Sequence, residues 1–128
     1  MSRFPYQKRL CVECPWRRST PAGKFSADKY RELAGTAEDM SQRIFTCHMT
    51  PEHKPNACAG WIQQQGGHNL SIRMALIGGA LDLSAIEPET DLHANYREIA
   101  IANGVDEDDP CLEDIRDDGQ LPVGPDRD

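Results

Sequence analysis

Cys11 and Cys14 bracket two residues in the run Cys-Val-Glu-Cys-Pro-Trp, and Cys47 and Cys58 follow in Phe-Thr-Cys-His and Cys-Ala-Gly-Trp. A Cys-x2-Cys pair puts two thiolates on one tight turn, as chelation of a soft metal requires, and two more sulfurs from later in the chain would complete four ligands. Four packed thiolates repel one another unless a cation neutralises them, so ligands and metal depend on each other. The expected centre is therefore Cys11, Cys14, Cys47 and Cys58, with His48, beside Cys47, as the alternative ligand. Zinc is preferred because it accepts four sulfurs, or three sulfurs and an imidazole, in a closed tetrahedral site. An iron–sulfur cluster is the alternative cofactor: it also takes four thiolates, and Cys14-Pro15 repeats a cysteine–proline step seen in ferredoxins. The wide gap from Cys14 to Cys47 matches no ferredoxin spacing, and a second Cys-x2-Cys knuckle is lacking for zinc.

Other chemistry finds little support. The chain has no Gly-rich phosphate loop, Gly-x-Ser-x-Gly or His-Glu-x-x-His motif, and no His-x-Glu with Pro-Cys-x-x-Cys deaminase pattern. No catalytic residue is assigned, and an enzyme is not expected. Trp16 and Trp61, a few residues past cluster cysteines, read as shields of the metal site. His68 reads as a turn residue, His53 and His93 as solvent-facing, and Cys111 as an inert thiol. Arg9, Arg17, Arg18 and Lys24 form a basic stretch around the knuckle that suits contact with anions or nucleic-acid phosphates.

The charge layout is polarised within a net charge of −7. Residues 1–31 hold eight Lys or Arg against two acidic residues, a local balance of +6, whereas residues 106–128 hold ten acidic residues against two Arg, a balance of −8. With three prolines and few large apolar side chains, the second segment is expected to be a mobile or loosely docked acidic tail. The organisation so predicted is a metal-binding helical domain over 1–105 and a tail over 106–128. A length of 128 residues and 38% hydrophobic content suit one domain with a modest core that a metal would consolidate. No stretch has the length and apolarity of a membrane span, and the basic N-terminus leads into no apolar run, so a cytoplasmic protein is expected. In a reducing compartment such cysteines serve as metal ligands more often than as disulfides, and a count of five argues against full pairing.

The elements that must position these residues read as mainly α, with the cysteines on loops. Ser26 caps a helix carrying Tyr30, Leu33, Ala34 and Ala37 on one face and ending near Met40. Ile44-Phe45-Thr46 is a short strand fragment or extended lead-in to Cys47. A short helix over 57–65 stops at Gly66-Gly67, and Asn69 caps an almost wholly apolar helix through Ile77 that is the expected spine of the core. Thr90 or Asp91 opens a last helix through Tyr96 and Ile99, closed by Asn103-Gly104.

Cys-x2-Cys-Pro-Trp-Arg at 11–17, Phe-x-Cys-His at 45–48, Cys-Ala-Gly-Trp at 58–61 and His-Asn-Leu-x-Ile-Arg at 68–73 together resemble an uncharacterised family of small cysteine-cluster proteins from bacteria and bacteriophages. The resemblance spans about residues 10–80. It implies that the four cysteines belong together and supplies no activity. The expected function is that of a metal-binding interaction or regulatory module acting through a macromolecular partner, a protein foremost. Two alternatives stand beside it: a nucleic-acid-binding module whose basic surface is masked by the acidic tail, and an iron–sulfur redox or sensor protein.

Overall fold

Helix starts in this chain are set by side chains that accept the free N–H groups of a first turn. In the computed structural model, which describes residues 4–10, 13–21, 23, 25–47, 50 and 53–124, Ser26 Oγ accepts from Lys29 N–H at 3.3 Å and opens α1 (Ala27–Leu33). A 3₁₀ turn over Ala34–Ala37 extends it. α2 (Ala59–Gln65) is followed by a 3₁₀ turn over Gly66–His68. Asn69 Oδ1 then accepts from Ile72 N–H at 3.0 Å to start α3 (Leu70–Ile77), while its amide donates to the Arg43 carbonyl at 2.7 Å. α4 (Tyr96–Ala102) is capped by Asn95, not by Thr90 or Asp91, through a 2.9 Å bond to Glu98 N–H. Asp91 is already engaged, its carbonyl accepting from Arg18 N–H at 3.1 Å. Gly104 ends α4 with φ +99°, which L side chains rarely adopt.

The domain is small and mainly α, with four α-helices and no sheet among the described residues. Among the described residues no helix is long and apolar enough to cross a membrane. α2 is the most enclosed element, burying Ala59, Gly60, Trp61, Ile62 and Gln65. It packs on α4, which buries Tyr96, Ile99 and Ala100, and α4 also packs on α1. The expectation that α3 forms the spine is corrected. α3 buries only Ile72 and Ala75, and Met74 and Ile77 are 59% and 81% exposed. Trp16, Tyr30, Phe45 and Tyr96 fill the centre as an aromatic cluster with ring centroids 5.8–6.4 Å apart, a spacing that adds to the burial energy.

The mobility expected of the acidic tail is also corrected for residues 106–124. Leu112 and Ile115 are buried core residues. Ile115 bridges antiparallel to Glu38, and Arg116 N–H donates to the Ala37 carbonyl at 2.9 Å. Beyond it, the Gly119 carbonyl accepts from Gly67 N–H at 2.8 Å, and Leu121 and Gly124 N–H donate to the Gln63 and Leu83 carbonyls at 2.8 and 2.9 Å. Buried Gln65 ties this segment to α4: its amide donates to the Arg116 carbonyl, and its Oε1 accepts from Tyr96 N–H at 2.7 Å. Leu112 and Ile115 take core positions and Leu121 and Val123 pack partly buried against the core, while the acids face outward. Asp109, Asp117 and Asp118 pair with Arg31, Arg97 and His68 at 2.8, 3.1 and 2.9 Å. The segment is a strap, and composition alone missed it because a handful of well-seated side chains outweighs a high mean charge.

Leu112→Ala should therefore lower stability by about 2–5 kcal/mol, the cost of truncating a buried leucine, measured by urea unfolding; a free tail would show no change. The Asp109 carboxyl is held below the usual carboxylate range by the Cys111 N–H and by Arg31. Such a group stabilises the fold above the ordinary carboxylate pKa, and that contribution is lost as pH falls through the lowered value. Asp109→Asn should thus be destabilising at neutral pH, with the difference from wild type shrinking in acid.

Candidate metal centre

Three stretches of extended chain build the floor of the site. Ala57 lies between Tyr6, in a parallel bridge, and Thr46, in an antiparallel one. Cys47 N–H donates to the Asn56 carbonyl at 2.7 Å and Cys58 N–H to the Phe45 carbonyl at 2.9 Å. The 44–47 segment is thus extended and joined to Ala57 by a single bridge at Thr46, with Ile44 and Thr46 exposed and Phe45 and Cys47 buried. Because side chains alternate across such a ribbon, Cys47 and Cys58, which flank the 46–57 pair, lie on its same face as diagonal neighbours.

The stretch that follows Cys14 is a turn seated on α2. The Cys14 carbonyl accepts from Arg17 N–H at 3.0 Å and from Thr20 Oγ1 at 2.7 Å. On its far side the turn is held by the 91–93 loop, where His93 N–H donates to the Trp16 carbonyl at 2.9 Å and Arg17 bridges Leu92. On its near side Trp16 lies against Gly60: a Cβ at Gly60 would stand 2.8 Å from Trp16 Cβ and 3.2 Å from Leu10 Cδ2. Only glycine permits this approach. Its consequence is that Cys14 meets Cys58, the residue that precedes α2, with Sγ atoms 3.7 Å apart.

Both sulfurs are buried, at 2% and 3% exposure. The Cys14 thiol is pushed well above its ordinary pKa, first by its S–H···S contact with Cys58, then by burial and by the charge Cys58 would carry. The Trp16 backbone N–H and the Arg17 charge oppose that shift. Tyr30 is pushed up to about 12, chiefly by burial and further by charge on Cys14 and Cys58. Among the described residues, the buried donors Trp16 Nε1, Trp61 Nε1 and the Tyr30 hydroxyl have no hydrogen-bond partner. Each such orphan costs about 1–3 kcal/mol unless an acceptor is supplied.

Of the expected ligands, Cys14 and Cys58 are brought into contact and Cys47 onto the same ribbon face as Cys58; Cys11 and His48 lie outside the described residues. Among the described residues no group of three or more His, Cys, Asp or Glu is drawn together to hold a metal ion. The basic stretch behaves differently from a free anion surface. Arg17 pairs with Glu89 at 2.7 Å, and Arg18 with Glu98 at 2.7 Å and the Leu92 carbonyl at 2.8 Å. Arg9 is exposed and 4.0 Å from Glu87; Lys24 lies outside the described residues. These partners come from the 87–98 region and not from the strap. His93 is half-buried, with Nδ1 3.1 Å from Glu98, and His68 is held between Asp39 and Asp118 at 3.5 and 2.9 Å, so His93 does not simply face solvent. Tyr30 and Gly60 carry the geometry of the site yet have no motif of their own; the small residue after Cys-Ala was the one available signal for Gly60.

The family model for the family of unknown function DUF6283 matches residues 6–116. The chain belongs to that family. The matched span takes in all five cysteines and runs through Leu112 and Ile115 of the strap, so it is wider than the 10–80 stretch that motif order suggested. Comparisons with curated proteins and with solved structures returned no match.

Gly60→Ala tests how the knuckle is seated. In an open helix this change would stabilise by about 1 kcal/mol; against Trp16 it should instead cost about 1–3 kcal/mol by overpacking. Urea unfolding gives the sign, and faster modification of Cys14 and Cys58 by a thiol reagent should accompany it.

Proposed function

We propose that this chain is a zinc-binding interaction module in which Cys11, Cys14, Cys47 and Cys58 hold one ion, with His48 as the alternative fourth ligand. The ion fastens the knuckle to the start of α2, and the rigid surface so formed is met by a macromolecular partner, a protein foremost. The observation that carries the reading is the 3.7 Å separation of Cys14 and Cys58 Sγ. Two thiolates at about 2.3 Å from one tetrahedral zinc stand about 3.8 Å apart. A disulfide would need about 2.05 Å. The same distance weighs against a cubane iron–sulfur cluster, in which each thiolate binds its own iron and the sulfurs stand farther apart.

Further support comes from the orphaned donors. Thiolates on a metal keep acceptor lone pairs and charge, which the unpartnered indole N–H groups and the Tyr30 hydroxyl lack at present. The engagement of Arg17 and Arg18 by Glu89 and Glu98, on a chain of net charge −7, favours a protein over a nucleic acid as the partner. The large apolar side chains left at the surface on Met40, Met74 and Ile77 agree with that choice.

Elemental analysis of anaerobically purified protein tests this. Wild type and Cys111→Ser should each carry one zinc per chain. Cys14→Ser and Cys58→Ser should lose it, with the thermal midpoint falling by at least about 5 °C because metal binding is partly folding free energy. A brown protein containing iron and sulfide, or a wild type that takes up no metal, would overturn the proposal.

A further inference from the structure

A cavity of about 270 Å³ opens between α1 and Phe45, Thr46, Cys47 and Thr50. Its apolar walls are made by Phe25, Tyr30, Leu33, Phe45 and Pro55, and Thr46 and Cys47 lie among them. A dry apolar cavity of roughly 150 Å³ holds benzene, so this one has room for a single ring with a short substituent. Ligand sites typically combine such walls with a few convergent polar groups. Here Lys29 is the one charged side chain among the described lining residues. It is loosely held among the described residues: Glu32 Oε2 is 4.0 Å away, and the two side chains are 49% and 66% exposed. The Thr50 hydroxyl is committed to the protein, donating to the Cys47 carbonyl at 2.8 Å and accepting from Asn56 N–H at 3.1 Å. What remains to recognise a ligand is an aromatic slot with an ammonium at its edge. A single compact cation, without an arginine fork, suits a monoanion such as a carboxylate.

We propose that this cavity binds a small aromatic carboxylate, with its ring among Phe25, Tyr30 and Phe45 and its carboxylate on Lys29 Nζ. The inference goes beyond the metal reading: the cavity borders the proposed centre through Cys47, one of its lining residues, but the groups assigned to the ligand, Phe25, Tyr30, Phe45 and Lys29, are none of the proposed metal ligands. Titration of the full chain, as purified, with phenylacetate and with its uncharged analogue phenylacetamide tests it by 1H–15N NMR. Phenylacetate should give saturable shifts centred on Lys29, Tyr30, Leu33, Phe45 and Thr46, with a dissociation constant on the order of 1 mM for a ligand of this size. Both phenylacetamide binding to wild type and phenylacetate binding to Lys29→Gln should be weaker by about 3- to 5-fold, the contribution of a partly exposed ion pair. Lys29 lies on an exposed face, so the variant keeps the fold, which its spectrum verifies directly. Shifts that do not saturate or that scatter over the surface would overturn the proposal. Equal affinities for the acid and the amide, or for wild type and Lys29→Gln, would do so as well.

Discussion

The contact between Trp16 and Gly60 is the constraint on which the rest of the site depends. It lets the Cys14 turn lie flat on α2, and that position leaves the sulfurs of Cys14 and Cys58 at 3.7 Å. Everything around it serves to keep the contact. The 91–93 loop closes over the back of the turn through Trp16 and Arg17, α4 supplies Tyr96 against the Trp16 ring, and the 45–58 ribbon delivers Cys58 at the start of α2. The same packing seals buried donors away from water, and a thiolate-rich metal centre is the kind of neighbour that would satisfy them.

Charge and burial are separated in this fold with some economy. The most acidic stretch of the chain is also the one that finishes the core, because Leu112 and Ile115 turn inward while Asp109, Asp117 and Asp118 reach basic groups on three different elements. Arg9, Arg17 and Arg18 are met by Glu87, Glu89 and Glu98 instead. Among the described residues the Asp109–Arg31 pair joins the two oppositely charged ends of the chain, whereas Asp117 and Asp118 pair with Arg97 and His68. Long-range attraction between them is not needed to account for the strap, whose position follows from backbone pairing to Ala37, Gln63 and Leu83.

Features carried by one or two adjacent residues were legible from the chain: the Ser26 and Asn69 caps, the Gly66 and Gly104 stops, and the kinship of Cys14 with Cys58. Features set by competition for space or partners were not. Asn95 displaced Asp91 as a cap because the loop around Asp91 is bound to Arg18 and Ser19. α3, apolar nearly all round, lost the core to shorter α2, whose Ala59 and Gly60 allow other chain segments to approach closely and whose Trp61 and Ile62 fill the interior. Tyr30 read as an ordinary helix-face residue, and only the fold brings it near the two thiols. A mean over composition cannot register that two apolar side chains in an acidic segment have places waiting for them.

X-ray absorption at the zinc edge on protein purified with its metal tests the central claim most directly, since it reports ligand type and distance without a crystal. The account predicts a first shell of sulfur at about 2.3 Å, four scatterers or three with one nitrogen, that loses sulfur in Cys58→Ser. A first shell of only oxygen and nitrogen near about 2.0 Å, unchanged in Cys58→Ser, would mean that the close pair of buried thiols does not bind the ion.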